Sequence, residues 1–210
     1  YAEPYQAFGD FKINKLDYLN QVPLTEIKNI KNNPDYKERL VERYLWETYS
    51  LGFNMNRAPY AGNYLLRRAL NYAIDRNAII ETVLAGSYRA AKGVIPMGMP
   101  GYNKQLRGYA YDPERAKELL AEAGYPGGEG LKPLLLSFNS DQGHRAVAEA
   151  IAQQLNQLGI DVQLQDMEWD YYKKQLNAMD LTLFRVGWHA DYADADNFLF
   201  GMFHSSKVGI

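Results

Sequence analysis

Residues 132 to 166 constrain the fold more than any other part of the chain. "KPLLLSFN" is a short apolar run that reads as a buried strand. "SDQGHRAVAEAIAQQLNQLG" sets Val147, Ile151, Leu155 and Leu158 on one helical face, and "IDVQLQD" then alternates as a half-buried strand does. The link around Gly159 is so short that the second strand must return beside the first in parallel, through a right-handed connection. A helix around "WDYYKKQLNAM" and a strand "LTLFRVGW" repeat the alternation, so the expected class is α/β.

Outside this unit the signals vary in strength. "DPERAKELLAEAG" carries a full set of helix markers: Asp112 as N-cap, Pro113 at the first position, Ala116, Leu119 and Leu120 on one face, and Gly124 as stop. Asn63 can cap a helix whose apolar face is Leu66, Ala69, Leu70, Ala73 and Ile74, with Gly86 to end it. "LVERYLWETYSLGFNMN", residues 40 to 56, reads as one long strand or two in succession. Before it, "INKLDYLNQVP" reads as a strand and "LTEIKNIKNN" as a short helix with Leu24, Ile27 and Ile30 on one face. Residues 90 to 111 lack any helical period and are expected to form a structured functional loop.

Composition narrows the function. A net charge of -2 with 23 scattered basic residues argues against a nucleic-acid surface. No run is apolar enough to span a membrane, and "YAEPYQAFGD" lacks the basic start and apolar middle of a signal peptide. The absence of cysteine removes thiolate catalysis and cysteine-held zinc. Histidines and carboxylates are present, but no zinc-protease, nucleophile-elbow or phosphate-loop motif joins them, and "DYADAD" misses calcium-loop spacing. No cofactor or metal is expected. What the chain has in abundance is 17 Tyr and 3 Trp, rings that give a stiff gripping surface with a polar tip.

A binding site fits these residues better than a catalytic one. Asp191 falls just past the strand ending near Trp188, and ligands of open α/β sheets gather outside the carboxyl ends of strands. A carboxylate held there beside Trp188, in reduced dielectric, would pair with an incoming ammonium group. Asp194 and Asp196 read as turn and cap residues. His144, in the first turn of its helix, suits a ligand carboxylate or else simply faces solvent. Arg185 lies within an otherwise apolar strand and demands a partner, either an acid of the chain or a ligand.

"LGFNMNRAP", "LLRRALNYAIDRNAII", "GYAYDPERAKELLAEAGY", "QLNQLGIDVQLQDMEW" and "RVGWHADYADADNFLFGMFHSS" resemble, in this order, the family 5 extracellular solute-binding proteins of ABC importers. The likeness runs from about Leu51 to Ser206. It implies one lobe of a two-lobed periplasmic-binding-protein-like fold (class II, cluster C), with a mixed sheet and flanking helices. Residues 1 to 210 would be the large C-terminal lobe, truncated at both ends. The family's G-W-x-x-D motif is here Gly187, Trp188, His189, Ala190 and Asp191. The resemblance therefore implies that Asp191 receives a peptide's α-ammonium group, with Trp188 as the aromatic wall and His189 beside them. Arg185 would lie near the ligand carboxylate and His144 would serve longer peptides.

The function so implied is binding of short peptides outside the cytoplasmic membrane by a non-catalytic monomer. It would deliver them to the permease of an ABC importer, in the periplasm or at the cell surface, as a lipoprotein if the parent carries an anchor. Other cargoes of the same family, nickel complexes, haem or oligosaccharides, are the alternative, and a peptide hydrolase is the alternative from another class.

Overall fold

The computed structural model describes residue 1 and residues 4–207. Residues 2, 3 and 208–210 of the expected lobe lie outside the described residues. The chain opens with helix α1 (Pro4–Lys12), then a 3-10 turn at Leu24–Glu26 leading into α2 (Ile27–Asn32) and the single turn α3 (Pro34–Lys37). The strand expected in residues 13–23 does not form. Its apolar residues share no single buried face: Ile13 and Tyr18 are exposed, while Leu16, Leu19 and Val22 are only half-buried. The helix expected from "LTEIKNIKNN" is present, with Ile30 buried.

Strand β1 (Glu47–Phe53) uses only the second half of the 40–56 stretch; residues 40–46 have no regular structure and expose Val41, Tyr44 and Leu45. Helix α4 (Tyr64–Ala73) begins where Asn63 Oδ1 accepts the backbone N–H of Leu66 at 3.0 Å. The expected continuation to Gly86 is broken at Ile74, which is extended, and Asp75 caps a new helix, α5 (Arg76–Thr82), by accepting from Ala78 N at 3.0 Å. Gly86, in the left-handed region at φ 70°, closes that second helix instead. The long loop at 90–111 has neither helix nor strand, yet Met99 is buried and Val94 O accepts from Thr48 Oγ1 at 2.9 Å.

Order then returns as the residues dictate. Helix α6 (Pro113–Glu122) starts on the Asp112 carboxylate, which accepts from Arg115 N at 2.9 Å, and Gly124 ends it at φ 95°. After a 3-10 turn at Pro126–Gly128 come β2 (Leu134–Asn139), α7 (Gln142–Asn156), β3 (Val162–Met167), α8 (Trp169–Asn177), β4 (Leu183–His189) and α9 (Asp196–Phe203).

The sheet has the order β1-β4-β2-β3 and is mixed: β2 pairs with β3 and with β4 in parallel, whereas β1 runs antiparallel to β4. Leu134, Leu136, Phe138, Val162 and Leu183 share one face and join the buried residues of α4, α6 and α7 in the main core. The other face carries a smaller cluster of Met167, Tyr172 and Leu181, with Phe184 packed against it. This arrangement brings the carboxyl ends of β2, β3 and β4, the first turn of α7 and the start of β1 to one edge of the lobe.

Candidate ligand-binding site

Side chains alternate along β4, so Arg185 and Gly187 face the main-core side while Trp188 faces the other. Neighbours in sequence therefore belong to two separate clusters.

The first cluster surrounds Arg185. Its guanidinium carbon lies 5.0 Å from the centre of the Tyr49 ring, and the opposite face of β1 has no part in this contact. Tyr49 reaches Arg185 because it stands opposite Gly187 in the β1–β4 register. Gly187 leaves room here: a Cβ at that position would lie 2.5 Å from Arg185 Nη2, so the guanidinium would have to shift. Among the described residues the one side-chain acceptor in hydrogen-bonding geometry is Asn139 Oδ1 at 3.4 Å, and Nε is buried without a partner. No carboxylate pairs with this guanidinium among the described residues, so the internal-acid option left open by the sequence is not realised.

His144 stands beside the same tyrosine, with ring centres 5.6 Å apart. It is half-buried in the first turn of α7, where Asp141 Oδ1 caps the helix through Gly143 N and His144 N at 2.8 and 3.1 Å. Burial lowers the His144 pKa, the nearby positive charge of Arg185 lowers it further, and Asp141, at 4.0 Å, opposes both. Together these influences favour the neutral imidazole, which can still donate or accept a hydrogen bond.

That shift has a stability consequence of defined sign. A histidine whose folded pKa lies below the unfolded value of about 6.5 takes up its proton more readily when unfolded. The stability present above pH 6.5 is therefore lost as the pH falls through 6.5 toward the folded value. His144→Gln is expected to flatten the dependence of the melting temperature on pH between about 7.5 and 5.5. An unchanged slope would show that His144 is not the group concerned.

The second cluster holds Trp188 and Asp191. Trp188 Nε1 donates to Asn197 Oδ1 at 2.7 Å; the same oxygen receives Asp191 N at 3.4 Å, and Asn197 Nδ2 donates to Asp191 Oδ2 at 3.5 Å. Asn197 is buried at the start of α9, and Gly201 lets that helix close on the indole: a Cβ there would meet Trp188 Cζ2 at 3.2 Å. Asp191 itself is exposed, so the reduced dielectric expected around it is not supplied by these residues. His189 is also exposed, opposite Glu47, and no hydrogen bond to its side chain occurs among the described residues. Asp194 Oδ1 accepts Asp196 N at 2.8 Å, the turn use expected of it, whereas Asp196 opens α9 without capping it and its Oδ2 accepts the Tyr192 hydroxyl at 2.9 Å.

Tyr49, Asn139 and Asn197 are the residues of these clusters that sequence reasoning missed, and Gly187 was named only as part of the motif. A glycine between an arginine and a tryptophan in an apolar strand was the one local signal. Among the described residues no group of three His, Asp or Glu is arranged to hold a metal ion, and no helix is long and apolar enough to cross a membrane.

The profile of the bacterial extracellular solute-binding proteins, family 5 Middle, matches residues 1–209. The chain belongs to this family. Among its curated relatives, the heme-binding protein A of Haemophilus influenzae is 35% identical over 89% of this chain and 34% of its own length. The oligopeptide-binding protein OppA of Bacillus subtilis is 30% identical over 90% of the chain and 36% of its own. The chain thus spans about a third of these relatives.

Solved structures of the family agree on the fold. The periplasmic oligopeptide-binding protein OppAIV of Borrelia burgdorferi superposes with a TM-score of 0.84 at 31% identity, covering 99% of this chain and 40% of that one. The periplasmic binding protein DppA of Helicobacter pylori, solved in complex with the peptide STSA, gives 0.78 at 27% identity over 94% and 37%. The family 5 chain described here accordingly has a periplasmic-binding-protein-like α/β fold with a mixed sheet and flanking helices.

Proposed function

We propose that this chain is a ligand-binding lobe of the substrate-binding component of an ABC importer, and that its ligand is a short peptide. The observation that carries the reading is Arg185, a guanidinium at the sheet's functional edge with a buried unpaired Nε and no carboxylate partner among the described residues. Such a group favours an anionic ligand, since a buried donor left without an acceptor is costly. Asp191, anchored through Asn197, offers the opposite sign, with no cation paired to it among the described residues. A peptide with free ends brings an ammonium and a carboxylate together, one for each cluster, and Trp188 supplies an apolar wall.

The protein would act outside the cytoplasmic membrane, in the periplasm or as a surface lipoprotein, as a monomer that hands its cargo to a membrane permease. The likeness to a haem-binding relative supports a second reading. Haem brings propionates for Arg185 and His144 but no ammonium for Asp191.

Calorimetry on the full-length protein with trialanine, its N-acetyl and C-amide forms and haem distinguishes the two. Binding of trialanine that weakens when either end is blocked supports the peptide reading. Binding of haem alone overturns it. Mass spectrometry of the recovered peptide adds a third outcome, since cleavage products would replace transport with hydrolysis.

A further inference from the structure

Tyr49 touches both Arg185 and His144, yet neither its sequence position nor any ion pair draws attention to it. Arg185 lies over its ring at 5.0 Å and His144 lies against it at 5.6 Å. The three come from β1, β4 and α7, separate elements that meet at the carboxyl edge of the parallel strands. We infer that Tyr49 is a positioning residue for ligand-carboxylate recognition: its ring fixes the Arg185 guanidinium and the His144 imidazole relative to one another, so that both address one anion. The inference rests on the reading that the ligand carries a carboxylate near Arg185.

The physical reason lies in what else holds the guanidinium. A single hydrogen bond to Asn139 at 3.4 Å is too weak to fix an arginine side chain, which has several rotatable bonds. Gly187 leaves the space in which the fork lies but makes no directional contact. The Tyr49 side chain is the other contact, and a guanidinium held over an aromatic ring keeps N–H groups free to receive a planar carboxylate. Burial pushes the Tyr49 hydroxyl up to about 12, against the pull of the Arg185 charge, so the platform stays uncharged at working pH. Tyr49 thus orders a cation without neutralising it, which a carboxylate at the same position would do.

The test compares trialanine with trialanine amide, by calorimetry on the full-length protein. In the wild type the amide should bind at least about tenfold more weakly. Tyr49→Leu should bring that ratio to within about twofold of unity while the amide's own Kd hardly moves. Tyr49→Phe, which keeps the ring, should retain the wild-type ratio. A Tyr49→Leu protein that still discriminates, or one that loses acid and amide equally, overturns the positioning role. Loss of discrimination in Tyr49→Phe does the same.

If the wild type binds peptide but does not distinguish acid from amide, the carboxylate contact itself fails, and this inference fails with it. A measurement independent of the leucine variant is the Arg185 Nε–H proton resonance in wild type and Tyr49→Phe. It should be shifted upfield by the ring and should move on addition of trialanine but little with the amide. A resonance at the ordinary arginine position overturns the inference.

Discussion

Asp191→Asn in the full-length protein is expected to weaken binding of trialanine by about 25-fold or more. The substitution keeps the shape and the contact with Asn197 but removes the charge that would meet the peptide ammonium. Stranding one member of a desolvated charge pair costs about 2 to 5 kcal/mol, and 1.4 kcal/mol corresponds to about tenfold in affinity. Because Asp191 is exposed in the lobe, the effect requires that ligand and the rest of the protein exclude water around it on binding. N-acetyl-trialanine should lose a comparable amount against the wild type and little more against the variant, since both changes delete one interaction. Equal affinity of wild type and variant for trialanine would reduce Asp191 to a solvated surface carboxylate.

The second large effect concerns the core that sets the site in position. Phe138 is fully buried in β2, the strand that pairs with both β3 and β4, and Arg145 lies over its ring at 5.9 Å. Phe138→Ala should cost about 3 to 5 kcal/mol, combining lost transfer energy with a cavity that a strand hydrogen-bonded on both sides cannot close. For a chain of this size that corresponds to a fall in melting temperature of roughly 6 to 20 °C. Urea denaturation resolves it directly, and a loss below about 1 kcal/mol would contradict the central place given to β2.

Legibility followed the range of the interactions. Helix α6 was readable end to end because Asp112, Pro113 and Gly124 act on their own turns. The parallel β2–α7–β3 unit was readable because its apolar periods change cleanly and its link is short. Residues 13–23 misled because apolar spacing suggests a face, whereas Ile13 and Tyr18 find no partner to bury against. The division of α4 from α5 was hidden for a similar reason: the apolar face continues through Ile74, and Asp75, the cap that restarts the helix, looks like an ordinary surface residue.

At the site, Arg185, Trp188, Asp191 and His144 could be singled out as chemistry-bearing residues. Their grouping was not legible, because it depends on which face of β4 each occupies and on partners far away in the chain. Tyr49 is joined to Arg185 by strand pairing, and Asn139 reaches it from the end of another strand. Asn197 reads as one more polar residue at a helix start until Trp188 and Asp191 are seen to share its amide.

The antiparallel pairing of β1 with β4 also dictates an order of events. β1 has no other strand partner among the described residues, and Leu51 stands opposite Arg185 across a separation of 134 residues (185 − 51). A ribosome making this chain releases β1 long before β4 exists, so "ETYSLGF" waits as an unpaired strand while α4 to α8 are synthesised. The β2–β3 pair can close within its own neighbourhood, but joining β1 to β4 must close a long loop. Tyr49 and Arg185 stand on those two strands, so their contact forms only once that long loop has closed. A nascent chain halted before residue 183 has no such contact at all.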